Sequence, residues 1–175
     1  MLVNSAARLA WIGLGSNLEG VWGPTPGKQV VAAAGAIGRL PGVESQAMSS
    51  LYRSPPMGPP DQPDYANAVM RIATRLTPMA LFRQLKRLER RAGRDPASVR
   101  WGARALDLDL LHIDGQASQH AELQLPHPGI GQRAFVLRPW AEIDPDLQVP
   151  GVGAMAECAS RVDGAGLTLW SALTD

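Results

Sequence analysis

One short segment constrains the fold of this chain more than any other. Between residues 105 and 113, leucines alternate with Asp107 and Asp109. Successive side chains of a β-strand point to opposite faces, so the pattern predicts a strand with its leucines in the core and both acids on the other face. The two carboxylates then share one side of the strand, with Cα atoms about 6.5 to 7 Å apart.

Helix and turn signals give the order of the other elements. Thr25-Pro26 and Thr77-Pro78 each combine an N-cap with proline at the first helical position. We predict helices from these two points and strands over residues 9–15, 43–53, 65–74 and 105–113. The order β-α-β-β-α-β predicts an α+β fold, a ferredoxin-like sandwich with an antiparallel sheet and two helices on one face. A C-terminal extension of about 60 residues should pack against it.

Composition narrows the class of protein. The 175 residues are 45% hydrophobic and 19% charged, which suits one domain spanning residues 1–175. A net charge of +1 gives no cationic field of the kind that nucleic-acid binders display. Cys158 is the only cysteine, and neither a signal-peptide pattern nor an apolar run of about 20 residues occurs. We therefore expect a cytoplasmic monomer without nucleic-acid or membrane partners.

The paired acids admit two interpretations. They suit magnesium, which takes oxygen ligands and shares them with substrate phosphates, and they equally suit the exposed polar face of an edge strand. Eight of the 17 basic residues fall between Arg83 and Arg104. Arg94, Arg100 and Arg104 lead into the acidic strand, where arginines complement polyphosphate oxygens. The arginines on the preceding predicted helix are explained equally well by the helix dipole, which favours cations near a helix C-terminus.

The segment from Ser54 to Pro60 contains four prolines and predicts a rigid loop. A rigid backbone suits recognition of a planar, hydrogen-bonding ligand, although it also suits a stiff connection between strands. Tyr65 and Asn67 should project from one face of the next strand, and Trp101 offers a stacking surface. His127 is interpreted either as a phosphate contact or as a turn cap, and His112 as structural. The Walker phosphate-loop pattern fails, because Gly23 and Gly27 are separated by three residues and Lys28 is followed by Gln29.

Several ordered segments together resemble one enzyme family. The run Arg100-Trp101-Gly102-Ala103-Arg104-Ala105-Leu106-Asp107-Leu108-Asp109 is similar to the signature of the 6-hydroxymethyl-7,8-dihydropterin pyrophosphokinases. Segments 13–17, 50–56, 61–68, 125–127 and 133–135 agree in the same order. The resemblance implies transfer of the diphosphate of ATP to the hydroxymethyl group of the dihydropterin, releasing AMP, in folate biosynthesis.

The resemblance also implies roles for individual residues. Two Mg²⁺ ions are expected on Asp107 and Asp109. The pterin is expected against Ser54, Pro55, Met57, Tyr65, Asn67, Trp101 and Phe135. ATP is expected against Lys86, Glu89, Arg100, Arg104, Leu110, His127 and Arg133. Transfer is expected to involve Arg94, Arg104 and Asp109, the last being the nearest candidate for a base.

Several positions depart from the habits of the family. Pro96 stands where members often carry a second loop arginine, Lys86 replaces a glutamine, and Pro128 replaces an aromatic residue after the histidine. They leave open a relative that binds pterin without turnover. An RNA-binding module that uses Arg100, Trp101 and Arg104 is a further alternative.

Overall fold

The computed structural model describes residues 6–59, 61–94 and 102–170. It is a mixed α/β structure built on an antiparallel sheet. The strands are β1 (Arg8–Ser16), β2 (Val43–Met48), β3 (Tyr52–Ser54), β4 (Tyr65–Thr74), β5 (Asp107–Ile113), β6 (Ser118–His120), β7 (Leu123–Leu125), β8 (Gln148–Val149), β9 (Gly153–Ala154) and β10 (Thr168–Leu169). The helices are α1 (Pro26–Gly38), α2 (Pro78–Arg91), α3 (Ala134–Ile143) and α4 (Met155–Arg161), with a short 3-10 turn at Ile130–Gln132.

The main sheet has the order β10-β3-β4-β1-β5, and β2 also pairs with β4. All of these pairs are antiparallel. Strand β1 therefore lies between β4 and β5, where Gly15 is opposite both Asn67 and Asp107. This register brings the polar residues of two separate motifs to the same end of the sheet.

One face of the sheet is covered by α1 and α2, as predicted. Both helices begin at the expected caps, since the side chains of Thr25 and Thr77 accept from backbone N–H groups of the first turn. Leu108 and Leu110 of β5 lie in this core, and Leu108 is fully buried. The predicted strand over residues 43–53 is wrong as a single element, because it divides into β2 and β3. At the break, the backbone N–H of Ser49 donates to the carbonyl of Val69, and Oγ of Ser49 accepts from the N–H of Val69.

The C-terminal extension covers the opposite face. Trp140 of α3 is buried against Trp11, and Val69 and Leu111 complete this second core. Strand β4 is consequently buried on both sides. His112 is buried in the same layer and stacks on Trp11 with ring centroids 5.5 Å apart, in agreement with a structural role. Among the described residues, none of the helices is long and apolar enough to cross a membrane.

Candidate active site

Asp107 and Asp109 lie on one face of β5 at the edge of the sheet, and each is partly exposed. The residues opposite them on β1 are Gly15 and Gly13. Because glycine has no side chain, the sheet surface beside the acids stays open. A cavity of about 270 Å³ lies there, and both aspartates line it.

Three arginines surround the two acids. Nη1 of Arg94 donates to Oδ1 of Asp107 at 2.8 Å, and Nη1 of Arg104 lies 3.0 Å from Oδ2 of the same residue. Nη1 of Arg133 donates to Oδ2 of Asp109 at 3.4 Å. Glu89 contacts Arg94, and Lys86 contacts Glu89, so four cationic side chains face three carboxylates in all. The cluster therefore has a local surplus of positive charge that suits a polyanion.

Glu89 of α2 connects this cluster to the core. Its buried carboxylate accepts from the backbone N–H of Leu108 at 2.7 Å and from Nζ of Lys86 at 2.6 Å, and Nη1 of Arg94 lies 2.5 Å from Oε2. Burial by itself lowers the pKa of Arg94, but Asp107 and Glu89 outweigh that effect and raise the pKa above its ordinary value. The Arg94 guanidinium is therefore fixed and charged at every accessible pH.

Lys86 contacts the peptide that joins the two acids. Its Nζ donates to the carbonyl oxygen of Leu108 at 2.9 Å, while Glu89 takes the N–H of the same residue. Both backbone groups of Leu108 are thus held by side chains of α2. This arrangement fixes the strand between Asp107 and Asp109.

The other wall of the cavity contains the residues predicted to receive a planar ligand. Those that line it are Ser54, Pro55, Met57, Tyr65, Asn67 and Phe135. Nδ2 of Asn67 donates to Oγ of Ser54 at 3.0 Å, and the Tyr65 hydroxyl donates to the carbonyl of Gly102 at 3.2 Å. Burial raises the pKa of Tyr65, so its hydroxyl stays protonated near neutral pH. The two acids and the residues predicted to bind a planar ligand therefore line the same cavity.

His127 combines the two interpretations that the sequence left open. Its Nδ1 accepts from the backbone N–H of Gly129 at 3.0 Å and caps the turn, while Nε2 lies 4.0 Å from Oδ2 of Asp109. Burial lowers the pKa of His127, and Arg133 lowers it further against the opposing effect of Asp109. The neutral ring accepts at Nδ1, so its proton is on Nε2, which faces the site.

Two predicted site residues, Arg100 and Trp101, lie outside the described residues, as does Pro96. Leu110 is buried in the core beneath the helices, so its side chain is turned away from the cavity that the acids line.

Asn17 was not predicted to have a role. Its side chain is buried, and Oδ1 accepts from the backbone N–H of Arg104 at 2.7 Å. Nδ2 donates to the carbonyl of Pro63 at 3.1 Å. The sequence signal for such a role is the polar pair Ser16-Asn17, which follows Gly15 where a buried strand meets a loop.

Known proteins resemble this chain over most of its length. The family described as 7,8-dihydro-6-hydroxymethylpterin-pyrophosphokinase (HPPK) matches residues 11–145. A Haemophilus influenzae protein named 2-amino-4-hydroxy-6-hydroxymethyldihydropteridine pyrophosphokinase is 43% identical over 152 residues, which cover 87% of this chain and 91% of that protein. A Pseudomonas aeruginosa protein of the same name is 41% identical over 140 residues, with 80% and 83% covered.

A solved structure agrees at the level of the fold. The crystal structure of Plasmodium falciparum HPPK-DHPS with pteroate superimposes with a TM-score of 0.64 at 10% identity. The match covers 91% of this chain and 44% of that one. With the identities of the two bacterial relatives, these findings show that the chain belongs to the HPPK family, the 7,8-dihydro-6-hydroxymethylpterin pyrophosphokinases.

Proposed function

We propose that this chain transfers the diphosphate of ATP to the hydroxymethyl group of 6-hydroxymethyl-7,8-dihydropterin, giving AMP and the pterin diphosphate, in folate biosynthesis. One observation carries the proposal. A single cavity joins two strand carboxylates, flanked by arginines, to a wall with a buried amide and an aromatic ring. A donor polyphosphate and a planar acceptor fit side by side in such a site.

The pterin occupies the wall formed by the proline loop and β4. The buried Asn67 side chain and the backbone of Ser54, Pro55 and Met57 read the hydrogen-bonding edge of the heterocycle. Tyr65 lines this pocket, and Phe135 with Trp101 encloses the ring. Planar stacking and a fixed amide favour a pterin over a flexible acceptor.

Asp107 and Asp109 hold magnesium. The described residues contain no group of three or more His, Cys, Asp or Glu side chains suited to a metal. Two carboxylates on one strand face nevertheless fit Mg²⁺, which commonly takes one or two carboxylates and completes its shell with water and substrate phosphates. We assign two ions to the pair, and when bound they neutralise phosphate charge and orient the donor for in-line displacement.

The residues of the chain position ATP and stabilise charge. Arg94 and Arg104, which contact Asp107, would present their guanidinium groups to the phosphoryl oxygens of bound ATP. Arg133, Arg100 and His127, with its Nε2 proton, contact the same polyphosphate. Lys86, Glu89 and the backbone of Leu110 form the nucleotide side of the site.

The substrate hydroxyl attacks the β-phosphorus, the bond between the α- and β-phosphates breaks, and AMP leaves. Asp109 is the nearest base for the hydroxyl proton. Catalysis rests chiefly on positioning and on charge stabilisation, as in other phosphoryl transfers.

The order of the main sheet and the two helices on one face support a ferredoxin-like class. We extend the proposal to a single domain that acts as a cytoplasmic monomer with small-molecule substrates only. Sedimentation of the purified chain at several concentrations tests the monomer.

The deciding assay is AMP formation from ATP, the hydroxymethyl dihydropterin and Mg²⁺, followed by chromatography. We expect one AMP for each pterin diphosphate. Formation of ADP, or AMP release without pterin, would contradict the proposal. Pterin binding without any turnover would identify a catalytically inactive relative instead.

A further inference from the structure

We propose that residues 163–170, here named the strap, position the proline loop from outside the cavity and thereby set the affinity for the pterin. The inference rests on the proposed function. The strap belongs to the end of the C-terminal extension, where the sequence contains no recognised motif.

The strap extends the strand that leads into the loop. Strand β10 pairs with β3, with Thr168 opposite Arg53 and Leu169 opposite Tyr52. The backbone N–H of Trp170 then donates to the carbonyl of Leu51 at 2.8 Å. Strand β3 has only three residues. Pairing with both β10 and β4 therefore holds it more firmly than pairing with β4 alone would.

The turn of the strap fits against the loop itself. Gly166 has a φ of +75°, and a Cβ atom there would lie 3.1 Å from Cγ and Cδ of Pro55. At Gly164 a Cβ atom would lie 2.6 Å from the guanidinium of Arg138. The turn is closed by a bond of 3.0 Å from the Leu167 N–H to the Gly164 carbonyl. The strap therefore lies against Pro55 on one side and against the Arg138 side chain of α3 on the other. A Cβ atom at Gly166 would require Pro55 to shift, whereas at Gly164 the flexible Arg138 side chain can move aside.

The far end of the strap is also anchored. The Arg53 guanidinium lies 4.5 Å from the ring centroid of Trp170. A Cβ atom at Gly27, in the first turn of α1, would lie 3.3 Å from Nε1 of Trp170. Contacts with both β3 and α1 hold this end of the strap in place.

These contacts support the pterin wall of the cavity and not the side that binds ATP. Pro55 and Ser54 line the pterin wall, and Ser54 holds Asn67. In the described part of the chain, none of the strap residues lines the cavity, and none is in contact with the two acids or with Arg94, Arg104 and Arg133 beside them. The strap residues are positioning residues, and their loss should weaken pterin binding while ATP binding stays unchanged.

Gly166→Ala tests the inference, because the new Cβ must push Pro55 at a left-handed φ. We expect the KM for the dihydropterin, and its Kd by direct titration, to rise roughly five- to ten-fold, with the KM for ATP and kcat within about two-fold of wild type. The matched control is Gly151→Ala, since Gly151 has the same φ of +75° but nothing within 4 Å of its Cβ position. It should change neither constant.

Trp170→Ala provides a second variant, which loosens the anchor without backbone strain and should shift the pterin constants in the same direction. Equal behaviour of Gly166→Ala and Gly151→Ala, with normal pterin KM for Trp170→Ala, would overturn the inference and leave the proposed function intact. A parallel rise in both KM values would identify a general structural role and also overturn it. Absence of AMP formation by the wild-type chain would instead remove the proposed function.

Discussion

The side-chain oxygen of Asn17 accepts a hydrogen bond of 2.7 Å from the backbone N–H of Arg104. The backbone of Asn17 also donates to the Arg104 carbonyl at 3.0 Å. A buried amide at the end of β1 thus fixes the residue that places a guanidinium on Asp107.

Replacing this amide should damage catalysis more than substrate binding. Asn17→Ala leaves the Arg104 N–H and the Pro63 carbonyl without their partner. We expect kcat to fall roughly 10- to 100-fold with much smaller changes in KM, and the free energy of unfolding to drop by about 1 to 3 kcal/mol. Steady-state assays and urea titration measure the two effects. An unchanged kcat/KM in a folded variant would refute the positioning role.

The two strand acids should be indispensable. Asp107→Asn and Asp109→Asn each remove a charge that magnesium requires, and we expect rates below about one thousandth of wild type. Isothermal titration with Mg²⁺ and a non-hydrolysable ATP analogue should show weakened metal binding. Asp114→Asn, an exposed acid just beyond the same strand, is the control and should be normal. A near-normal rate for either site variant would show that the metal assignment is wrong.

Glu89 should contribute to stability and to activity together. Glu89→Gln removes the buried charge that both Lys86 and Arg94 contact. We expect a loss of about 1 to 3 kcal/mol in the free energy of unfolding, with reduced kcat because Arg94 is released. The exposed Glu44→Gln is the matched control. Equal urea midpoints for the two variants would contradict the prediction.

His112 should make stability depend on pH. Burial lowers its pKa, and Asp114 offsets only part of that effect. The unfolded chain then binds a proton more readily than the folded chain. Stability is complete above the ordinary histidine pKa of about 6.5 and declines as the pH falls from there toward the lower folded value.

Thermal unfolding between pH 7.5 and about 5 tests this expectation. His112→Phe keeps a ring against Trp11 but does not titrate, so its unfolding free energy should decline less steeply with falling pH. The remaining slope contains His127, whose pKa is lowered in the same direction. Identical slopes for wild type and variant would refute the assignment.

Local signals predicted much of the fold. The caps at Thr25 and Thr77 and the alternation around Leu108 each depend on neighbouring residues, and the structure confirms them. The division of residues 43–53 could not be predicted in this way, because it depends on Ser49 bonding Val69, which is 20 positions away.

The site was harder to predict than the fold. The cavity brings together Asp107, Asn67 and Pro55, which the sequence grouped through a resemblance rather than through spacing. The hydrogen bond from Arg104 to Asn17 and the contact of Gly166 with Pro55 span 87 and 111 positions. Contacts at such separations depend on how strands, helices and loops pack together, which local sequence patterns do not give.

The hydrogen bonds between α2 side chains and the backbone of Leu108 also bear on association between copies of the chain. Strand β5 is at the edge of the main sheet, where an outward N–H and C=O ordinarily invite a strand from another molecule. Glu89 and Lys86 already occupy both groups of Leu108, the second residue of this strand. The same two side chains that hold the strand between the acids are therefore expected to disfavour pairing with a strand of another molecule at this residue.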